Sequence, residues 1–317
     1  MGTEKIYDVV IVGGGPGGLC AGMYSARARR KTVCLEKFLP GGQIAMTGEV
    51  EDYPGFEHIS GAELGMKLTD HAKKFGLEIE MEEVLEVYCD GEDRVARCAS
   101  GNTYRGKAVI LSTGGSPVKL NIPGELEYAG KGVSYCAICD GAFFRDKVIA
   151  VVGGGDAAVE EGAFLTKFGT KVHLIHRREQ LRAQKIIQQR AFDNPKMNFI
   201  FDTVVESING NDRVVTDLTL KNIKTGAVSK LDVGAIFVYV GFHPNSGIVR
   251  EGLKRDPNGY IITDEKMETS IPGIFCCGDV RAQLVRQVTN AVGDGTTAAV
   301  AAEKYIEHLE DRHAQRV

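Results

Sequence analysis

The hydrophobic residues of this chain gather in short runs, and two of these runs end in clusters of glycine. The first run extends from Ile6 to Val12 and the second from Val148 to Val152. A continuous apolar run of this length, stopped by glycine, is typical of a strand that is buried on both faces. Each glycine cluster is followed by a helix-like stretch, at about 17–30 and about 157–168, and then by another apolar strand. The pattern therefore predicts a strand–helix–strand unit that occurs twice.

A constant shift of 140 residues relates the two units (153 − 13, 155 − 15 and 158 − 18). The corresponding positions are Gly13 with Gly153, Gly15 with Gly155 and Gly18 with Ala158, and the predicted second strands are Thr32–Leu35 and Lys171–Ile175. This is the fingerprint of dinucleotide binding, in the strand–turn–helix context that it requires. The first glycine makes the tight turn, the second lets the backbone approach a pyrophosphate, and the small third residue lets helix and strand pack closely. The helix N-terminus then offers unpaired N–H groups to the phosphates.

The residue at the tip of the second strand distinguishes the two nucleotides. In the first unit it is Glu36, whose carboxylate accepts hydrogen bonds from ribose hydroxyls and repels a 2′-phosphate. In the second unit it is His176 (176 − 36 = 140), followed by Arg177, Arg178 and, one turn further on, Arg182. Arginine binds phosphate through forked, charge-assisted bonds, so the cluster predicts NADPH, although a solvated strand end is the alternative.

A Cys-x-x-Cys motif, formed by Cys136 and Cys139, lies between the two strand–helix–strand units. This spacing indicates a redox dithiol, because the two sulfurs can bond and the pKa of one thiol is lowered. The alternatives are two buried cysteines or half of a zinc site, but no second Cys-x-x-Cys or His pair supplies further ligands, and we expect no metal. Asp140 follows the pair directly. It is either a turn or cap residue, or the donor of the proton that a leaving thiolate needs.

Composition changes this picture little. The net charge is −4, which gives no indication of nucleic-acid or membrane-surface binding. No apolar run approaches the ~18 residues that span a bilayer, and the start of the chain has no signal-peptide or myristoylation pattern, so we expect a cytoplasmic protein. Cys276 and Cys277 fit a redox switch or a buried strand, and the apolar run around them favours the strand. The basic cluster Arg27–Lys31 fits a nuclear signal or the cationic end of the first helix, and its position favours the helix end.

Taken together, the motifs resemble the low-molecular-weight thioredoxin reductases over almost the whole chain. The segments that carry the resemblance are Gly13–Gly18, Pro40–Gln43, Glu49–Gly55, Cys136–Gly141, Gly153–Glu161, His176–Arg178, Cys277–Arg281 and Arg286–Val288. The resemblance implies an α/β fold of two Rossmann-like three-layer dinucleotide-binding domains, one inserted in the other. It implies a discontinuous FAD-binding domain at 1–117 and 244–317, and an NADPH-binding domain with the redox pair at 118–243. Two departures from the family pattern, at Gly17 and Ile138, do not touch the chemistry.

The resemblance also implies the site residues. Those for FAD are Gly13, Gly15, Pro16, Gly18, Glu36, Gly41, Gly42, Gln43, Asp52, Asp279, Arg286, Gln287 and Val288. Those for NADPH are Gly153, Gly155, Asp156, Ala157, His176, Arg177, Arg178 and Arg182. Asp279 would bind the ribityl chain of FAD, and Arg286, Gln287 and Val288 would lie near the flavin ring. Cys139 would face the flavin, Cys136 would attack the substrate disulfide, and Asp140 would donate the proton.

The implied activity is an NADPH-dependent reduction of oxidised thioredoxin through FAD and the Cys136–Cys139 pair, in a homodimeric enzyme. The dithiol lies only 14 residues before Gly153 (153 − 139), so it shares a domain with NADPH, whereas FAD belongs to the other domain. We therefore expect the inserted domain to rotate during the cycle. Three alternatives are weaker. A ferredoxin–NADP reductase lacks the cysteine pair, a reductase dedicated to a peroxidase would carry an attached dithiol domain, and a nucleotide-binding sensor would not need a dithiol.

Overall fold

The computed structural model describes residues 2–46, 49–211 and 213–315, apart from the side chains of Glu49 and Cys139. The chain forms two compact units. The first consists of Met1–Ser116 and His243–Val317, and the second of Pro117–Phe242. The assignment of one nucleotide to each unit stays a prediction.

The helices and strands have the following bounds. In chain order the strands are β1 (Glu4–Ile6), β2 (Val9–Val12), β3 (Thr32–Glu36), β4 (Glu49–Val50), β5 (Ile59–Ser60), β6 (Glu78–Met81), β7 (Val84–Asp90), β8 (Asp93–Cys98), β9 (Thr103–Gly106), β10 (Ala108–Leu111), β11 (Gly115–Pro117), β12 (Val133–Ser134), β13 (Val148–Gly153), β14 (Lys171–Ile175), β15 (Met197–Ile200), β16 (Thr203–Gly210), β17 (Val215–Asn222), β18 (Val228–Asp232), β19 (Ala235–Tyr239), β20 (Phe242–Pro244) and β21 (Ile274–Cys276). The α-helices are α1 (Pro16–Arg27), α2 (Gly61–Lys74), α3 (Ala137–Asp140), α4 (Asp156–Leu165), α5 (Lys185–Phe192) and α6 (Val288–Ala314), and the 3-10 helices are Gly42–Met46, Gly141–Phe144 and Gly278–Val280.

The first unit has three layers around a parallel five-stranded sheet of order β21-β10-β2-β3-β6. One face is covered by helices, and there Ile11 of β2 packs in one cluster with Leu19 of α1 and Ala302 of α6. The other face is covered by the sheet β1-β9-β8-β7, and there Val10 packs in one cluster with Tyr104. Successive residues of a strand point to opposite faces, so a sheet covered on both sides requires an apolar residue at every position of β2.

The second unit repeats these three layers. Its parallel sheet has the order β12-β19-β13-β14-β15, and an antiparallel sheet β16-β17-β18 covers one face. Val151 of β13 packs with Ala158 and Leu165 of α4, whereas Ala150, its neighbour, packs in the cluster that contains Leu218 of β17. The predicted fold class, with two Rossmann-like three-layer domains and one inserted in the other, is confirmed.

Several predicted boundaries differ from the structure, and α4, for example, ends at Leu165 rather than near the predicted 168. The run Ile6–Val12 is split between two sheets, because β1 pairs with β9 and β2 pairs with β3 and β10. The first helix ends at Arg27, three residues before the predicted end. Arg29 has a φ of +61°, in the left-handed region, and an α-helix cannot continue through that conformation. Arg27 lies in the last turn of α1, which confirms the helix-end interpretation of the basic cluster.

None of the helices within residues 2–46, 49–211 and 213–315 combines the length and the apolar character that a membrane span needs. The same described residues contain no group of three or more His, Cys, Asp or Glu side chains that could hold a metal ion.

Candidate active site

The first glycine turn joins β2 to α1 and shows why two of its glycines are required. Gly13 has a φ of +103°, and a Cβ built on it would lie 2.2 Å from the carbonyl oxygen of Ser112. A Cβ on Gly18 would lie 2.0 Å from the carbonyl oxygen of Gly13. A real Cβ cannot approach a backbone atom so closely, so both positions are glycine for reasons of packing.

Gly15 differs from these two glycines. It is the N-cap of α1 with a φ of −72°, and a Cβ built on it would meet no atom within 4 Å. No side chain caps this end of α1, so its first N–H groups face open space. A helix start of this kind is suited to a phosphate group, which would approach the backbone where Gly15 leaves room. The fold itself would accept a side chain at position 15, so we attribute the glycine to the space that a ligand needs.

Gly13 and Gly15 therefore form a matched pair for mutagenesis. We expect Gly13→Ala to destabilise the fold by at least about 2 kcal/mol, because it combines a positive φ with backbone overlap. We expect Gly15→Ala to keep the free energy of unfolding within about 1 kcal/mol of the wild type. The added methyl would fill the open space, so the dissociation constant of FAD should rise at least about tenfold. Thermal unfolding and recovery of free-flavin fluorescence on dilution measure the two effects, and unchanged flavin binding by Gly15→Ala would contradict this reading of the turn.

Other residues predicted for FAD lie against this turn. The N–H of Gly41 donates to the carbonyl oxygen of Gly14 at 2.8 Å, and a Cβ on Gly42 would lie 2.9 Å from the Cα of Gly15. Glu36 ends β3, and its carboxylate accepts the N–H of Gly14 at 2.7 Å and that of Phe38 at 2.8 Å. The structure therefore brings Gly13, Gly15, Glu36, Gly41 and Gly42 together at one edge of the parallel sheet.

Asp279 lies in the 3-10 helix directly after β21. This helix is near the start of α1, because a Cβ on Gly17 would lie 3.3 Å from Sγ of Cys277. The Asp279 carboxylate is largely buried and accepts no hydrogen bond from any described residue. Burial raises its pKa, and the charge of Asp294 adds to this, whereas Arg286 lowers it. A buried carboxylate without a donor is suited to the hydroxyl groups of a ligand.

The remaining residues predicted for FAD are placed less tightly. Asp52 is exposed, and the Gln43 side chain donates to the carbonyl oxygen of Gly115 at 3.1 Å. The Arg286 guanidinium stacks on the ring of Tyr260, 4.1 Å from its centroid. Gln287 is the N-cap of α6, and Val288 is the first residue of that helix. Val288 packs in a small cluster that also contains Ile44 and Tyr53. Pro16 is the first residue of α1.

The second glycine turn has the same division of roles. Gly153 has a φ of +154°, and a Cβ on it would lie 2.4 Å from the carbonyl oxygen of Tyr239 and 2.6 Å from Cβ of Ala158. Gly155 is the N-cap of α4, and a Cβ there would meet nothing within 4 Å. Asp156 begins the helix, accepts the N–H of Gln184 at 2.7 Å, and is followed by the exposed Ala157. The open helix start is again suited to a phosphate group.

His176 and the three arginines occupy different environments. His176 is only 5% exposed, and its Nε2 atom has no hydrogen-bond partner. A Cβ on Gly154 would lie 2.3 Å from its ring, so the imidazole packs directly beneath the glycine turn. Burial lowers the pKa of His176, and the charge of Arg182 lowers it further, so the ring is neutral at pH 7. Arg177, Arg178 and Arg182 are exposed. The positive charge at the end of β14 therefore comes from the arginines.

In the predicted dithiol, Cys136 lies between β12 and α3, and Cys139 belongs to α3. Cys136 is disulfide-bonded, whereas the side chain of Cys139, its predicted partner, lies outside the described residues. Ser134 organises this turn: its hydroxyl donates to Oδ2 of Asp140 at 2.6 Å and accepts the N–H of Cys136 at 3.1 Å. Asp140 is thereby held on the turn that carries Cys136.

Two residues near the dithiol turn were not predicted from the sequence. The hydroxyl of Tyr239, at the end of β19, accepts the N–H of Ala137 at 2.8 Å. Glu161 lies on α4, and burial, aided by the charge of Glu160, raises its pKa to about 7. Its Oε2 atom is buried and has no hydrogen-bond partner. Helical spacing could have indicated Glu161, because it lies three residues after Ala158 on the inward face. No sequence pattern indicates the contact of Tyr239, which spans 102 residues.

Cys276 and Cys277 are both fully buried, on opposite faces of the parallel sheet. Burial raises the pKa of Cys276 well above its ordinary value and that of Cys277 to about 12, so neither is a thiolate at neutral pH. Cys276 is the last residue of β21, as the strand interpretation predicts, and Cys277 lies just beyond the strand.

Comparisons with known proteins agree with this arrangement. A family model described as pyridine nucleotide-disulphide oxidoreductase matches residues 7–295. A thioredoxin reductase of Bacillus subtilis (strain 168) is 45% identical over 317 residues, which cover 98% of each chain. The crystal structure of Lactococcus lactis thioredoxin reductase, in its FR conformation, has a TM-score of 0.93 and 48% identity over 95% of this chain and 99% of that one. The thioredoxin reductase of T. acidophilum has a TM-score of 0.91 and 32% identity over 96% and 99%. This chain therefore belongs to the pyridine nucleotide-disulphide oxidoreductase family, within its thioredoxin reductases.

Proposed function

We propose that this chain uses NADPH to reduce oxidised thioredoxin through FAD and the Cys136–Cys139 pair. The observation that carries the proposal is a disulfide-bonded Cys136 in the same chain as two glycine turns that leave room for a phosphate. Relatives named thioredoxin reductases match almost the whole chain, which supports thioredoxin as the substrate. The homodimer follows from the family resemblance and the cytoplasmic location from the sequence pattern, and both stay predictions.

The two units differ in the nucleotide that they suit. FAD fits the first unit, where Gly15 leaves space at the start of α1 and Asp279 offers a carboxylate without a donor. NADPH fits the second unit, where Gly155 leaves space and exposed arginines follow β14. The chemistry that the two cofactors supply when bound is the transfer of two electrons from the nicotinamide through the flavin to a disulfide.

The chain itself supplies the exchange with the substrate. The reduced pair begins the exchange when the Cys136 thiolate attacks one sulfur of the thioredoxin disulfide, forming a mixed disulfide and releasing the other sulfur as a thiolate. Asp140, which accepts a hydrogen bond from Ser134, would donate the proton that the leaving thiolate takes up. The thiolate of Cys139 then attacks Cys136, which restores the internal disulfide and releases the second thiol of thioredoxin. Two electrons leave the pair in this exchange.

The order of residues requires a movement between the two units. The dithiol and the residues suited to NADPH belong to Pro117–Phe242, whereas those suited to FAD belong to the other unit. If one face of the flavin serves both partners, nicotinamide and disulfide reach it in turn, and the second unit rotates as a rigid body. The chain crosses between the units at Gly114, with a φ of +59°, and at Gly241, with a φ of +139°. Glycine readily accommodates a change in these dihedral angles.

One spectroscopic experiment tests the proposal. We expect the purified protein to be yellow, to lose its flavin absorbance on addition of NADPH, and to recover it when oxidised thioredoxin is added. A variant whose two units are cross-linked is expected to perform one of these half-reactions and to lose the other. A colourless protein, or one that ignores NADPH, would refute the function, and normal turnover by the cross-linked variant would refute the rotation.

A further inference from the structure

A polar network in the first unit holds the turn that carries Asp279. Asp294, on α6, accepts the N–H of Gly278 at the start of this turn, with 3.2 Å between N and Oδ2. It also accepts two hydrogen bonds from the guanidinium of Arg281, which lies just beyond the end of the turn. The Nε–Oδ2 and Nη2–Oδ1 distances are both 3.0 Å. Its side chain is only 7% exposed. One carboxylate therefore fixes both ends of the turn.

Gln283 completes the network. Its Oε1 accepts from Nη2 of Arg281 at 2.9 Å and from Nδ2 of Asn290 at 2.6 Å. Its Nε2 donates to the carbonyl oxygen of Gly278 at 3.1 Å. The N–H and the C=O of Gly278 are thus both engaged by side chains, so its peptide groups have little freedom to rotate.

The helix that carries Asp294 is itself fixed against the glycine turn. A Cβ on Gly295 would lie 2.2 Å from the carbonyl oxygen of Gly17, so α6 and α1 are in backbone contact at this point. Gly17 belongs to the first turn of α1, directly after Gly15 and Pro16. The position of Asp294 relative to the open space at Gly15 is therefore set by a contact that admits no side chain.

Asp279 depends on this network for its orientation. Its carboxylate receives no hydrogen bond from the described residues, whereas Asp294 binds Gly278 on one side of it and Arg281, two residues further along the chain, on the other. A side chain without hydrogen bonds of its own is oriented mainly by its backbone, and a site that is ordered before its ligand arrives binds that ligand more tightly.

We propose that Asp294 is a positioning residue of the flavin site: with Arg281 it fixes the turn so that Asp279 presents its carboxylate to the ribityl hydroxyl groups of FAD. The inference rests on the proposed function, because it takes FAD as the ligand of the first unit. In this role Asp294 acts through Asp279.

The test is a double-mutant cycle on flavin binding. The change Arg281→Leu with Asp294→Leu removes both charges together, because removing one alone would leave a buried unpaired charge. We expect this charge-free variant to fold with a similar thermal midpoint and to raise the dissociation constant of FAD about tenfold. Asp279→Ala alone should raise the constant by a similar factor or more. When Asp279→Ala is added to the charge-free variant, the dissociation constant of FAD should rise less than about twofold further. The interaction between Asp279 and FAD has already been lost in the charge-free variant. The constant is measured by diluting the yellow holoprotein and following free-flavin fluorescence.

A second ion pair of the same unit provides the control. Arg97 and Glu86 are 2.7 Å apart on β8 and β7, and replacing both by leucine should leave flavin binding unchanged within about twofold. Gln283→Leu removes the hydrogen bonds of Gln283 to Gly278, Arg281 and Asn290 but no charge, and it serves if the charge-free variant fails to fold. It should weaken flavin binding and again be non-additive with Asp279→Ala. Fully additive effects, or unchanged binding by the charge-free variant, would overturn the inference. A wild-type protein that binds no FAD would instead refute the proposed function.

Discussion

Replacing Cys136 by serine is expected to abolish thioredoxin reduction while the protein keeps its flavin. A serine hydroxyl cannot form the mixed disulfide, and it cannot take part in the internal disulfide in which Cys136 is now engaged. The loss in turnover should be at least about a thousandfold, because the remaining Cys139 has no second thiol with which to form the internal disulfide that releases reduced thioredoxin. Reduction of the flavin by NADPH should remain, since it precedes the step that needs the sulfur. The same result is expected for Cys139→Ser. Steady-state NADPH consumption with thioredoxin measures the loss, and the flavin spectrum measures what is kept.

Cys89 offers the matched control for this experiment. It is a free cysteine, exposed on β7 of the first unit. Cys89→Ser makes the same chemical change at a thiol that the mechanism does not use, and it should retain full activity. Thioredoxin reduction above a few per cent of the wild-type rate in Cys136→Ser would show that another group performs the exchange.

Removing the charges of Arg177 and Arg178 is expected to abolish the preference for NADPH over NADH. Both side chains are exposed directly after β14, where a 2′-phosphate would lie beyond the second glycine turn. A hydrogen bond to a charged group contributes about 1.5–3 kcal/mol, so the double change to alanine should raise the KM for NADPH about a hundredfold. His176 cannot compensate, because its ring is buried and neutral. The KM for NADH, which lacks the phosphate, should change only a few-fold.

Steady-state kinetics with both coenzymes, at one fixed ionic strength, provide this measurement, since salt screens exposed charges. Arg213, exposed in the connection between β16 and β17 of the same unit, provides the control: Arg213→Ala removes a similar charge and should leave both KM values unchanged. An equal rise in KM for the two coenzymes would mean that the arginines hold a part common to both, and the assignment to the 2′-phosphate would be wrong.

The fold could be predicted from the sequence because its signals are local and occur twice. In β2, alternating residues such as Val10 and Ile11 face different layers, so the need for two apolar faces appears directly as an apolar run. The glycines of the turns could also be predicted, because any side chain at Gly13 or Gly153 would overlap backbone atoms. Boundaries were less accurate. The left-handed backbone of Arg29 ends the first helix in the middle of a polar segment that shows no break.

The detail of the candidate site could not be predicted in the same way, because its contacts join distant parts of the chain. The hydroxyl of Tyr239 meets the N–H of Ala137 only after β19 and β12 have paired. Likewise Asp294 reaches Gly278 only when α6 returns to the sheet. His176 shows the limit of analogy within one chain. Its position corresponds to that of Glu36, yet the Glu36 carboxylate binds backbone N–H groups while the His176 ring is enclosed.

The burial of His176 affects how this enzyme could be engineered to use NADH, the cheaper coenzyme. Protein engineers often begin at the strand-tip position, where many dinucleotide-binding proteins carry an acidic residue. Here Gly154 lies directly on the imidazole, which leaves little volume for a larger side chain. A library at position 176 would therefore mainly sample unstable proteins, whereas the solvent-facing guanidinium groups beside it can be varied without disturbing the interior.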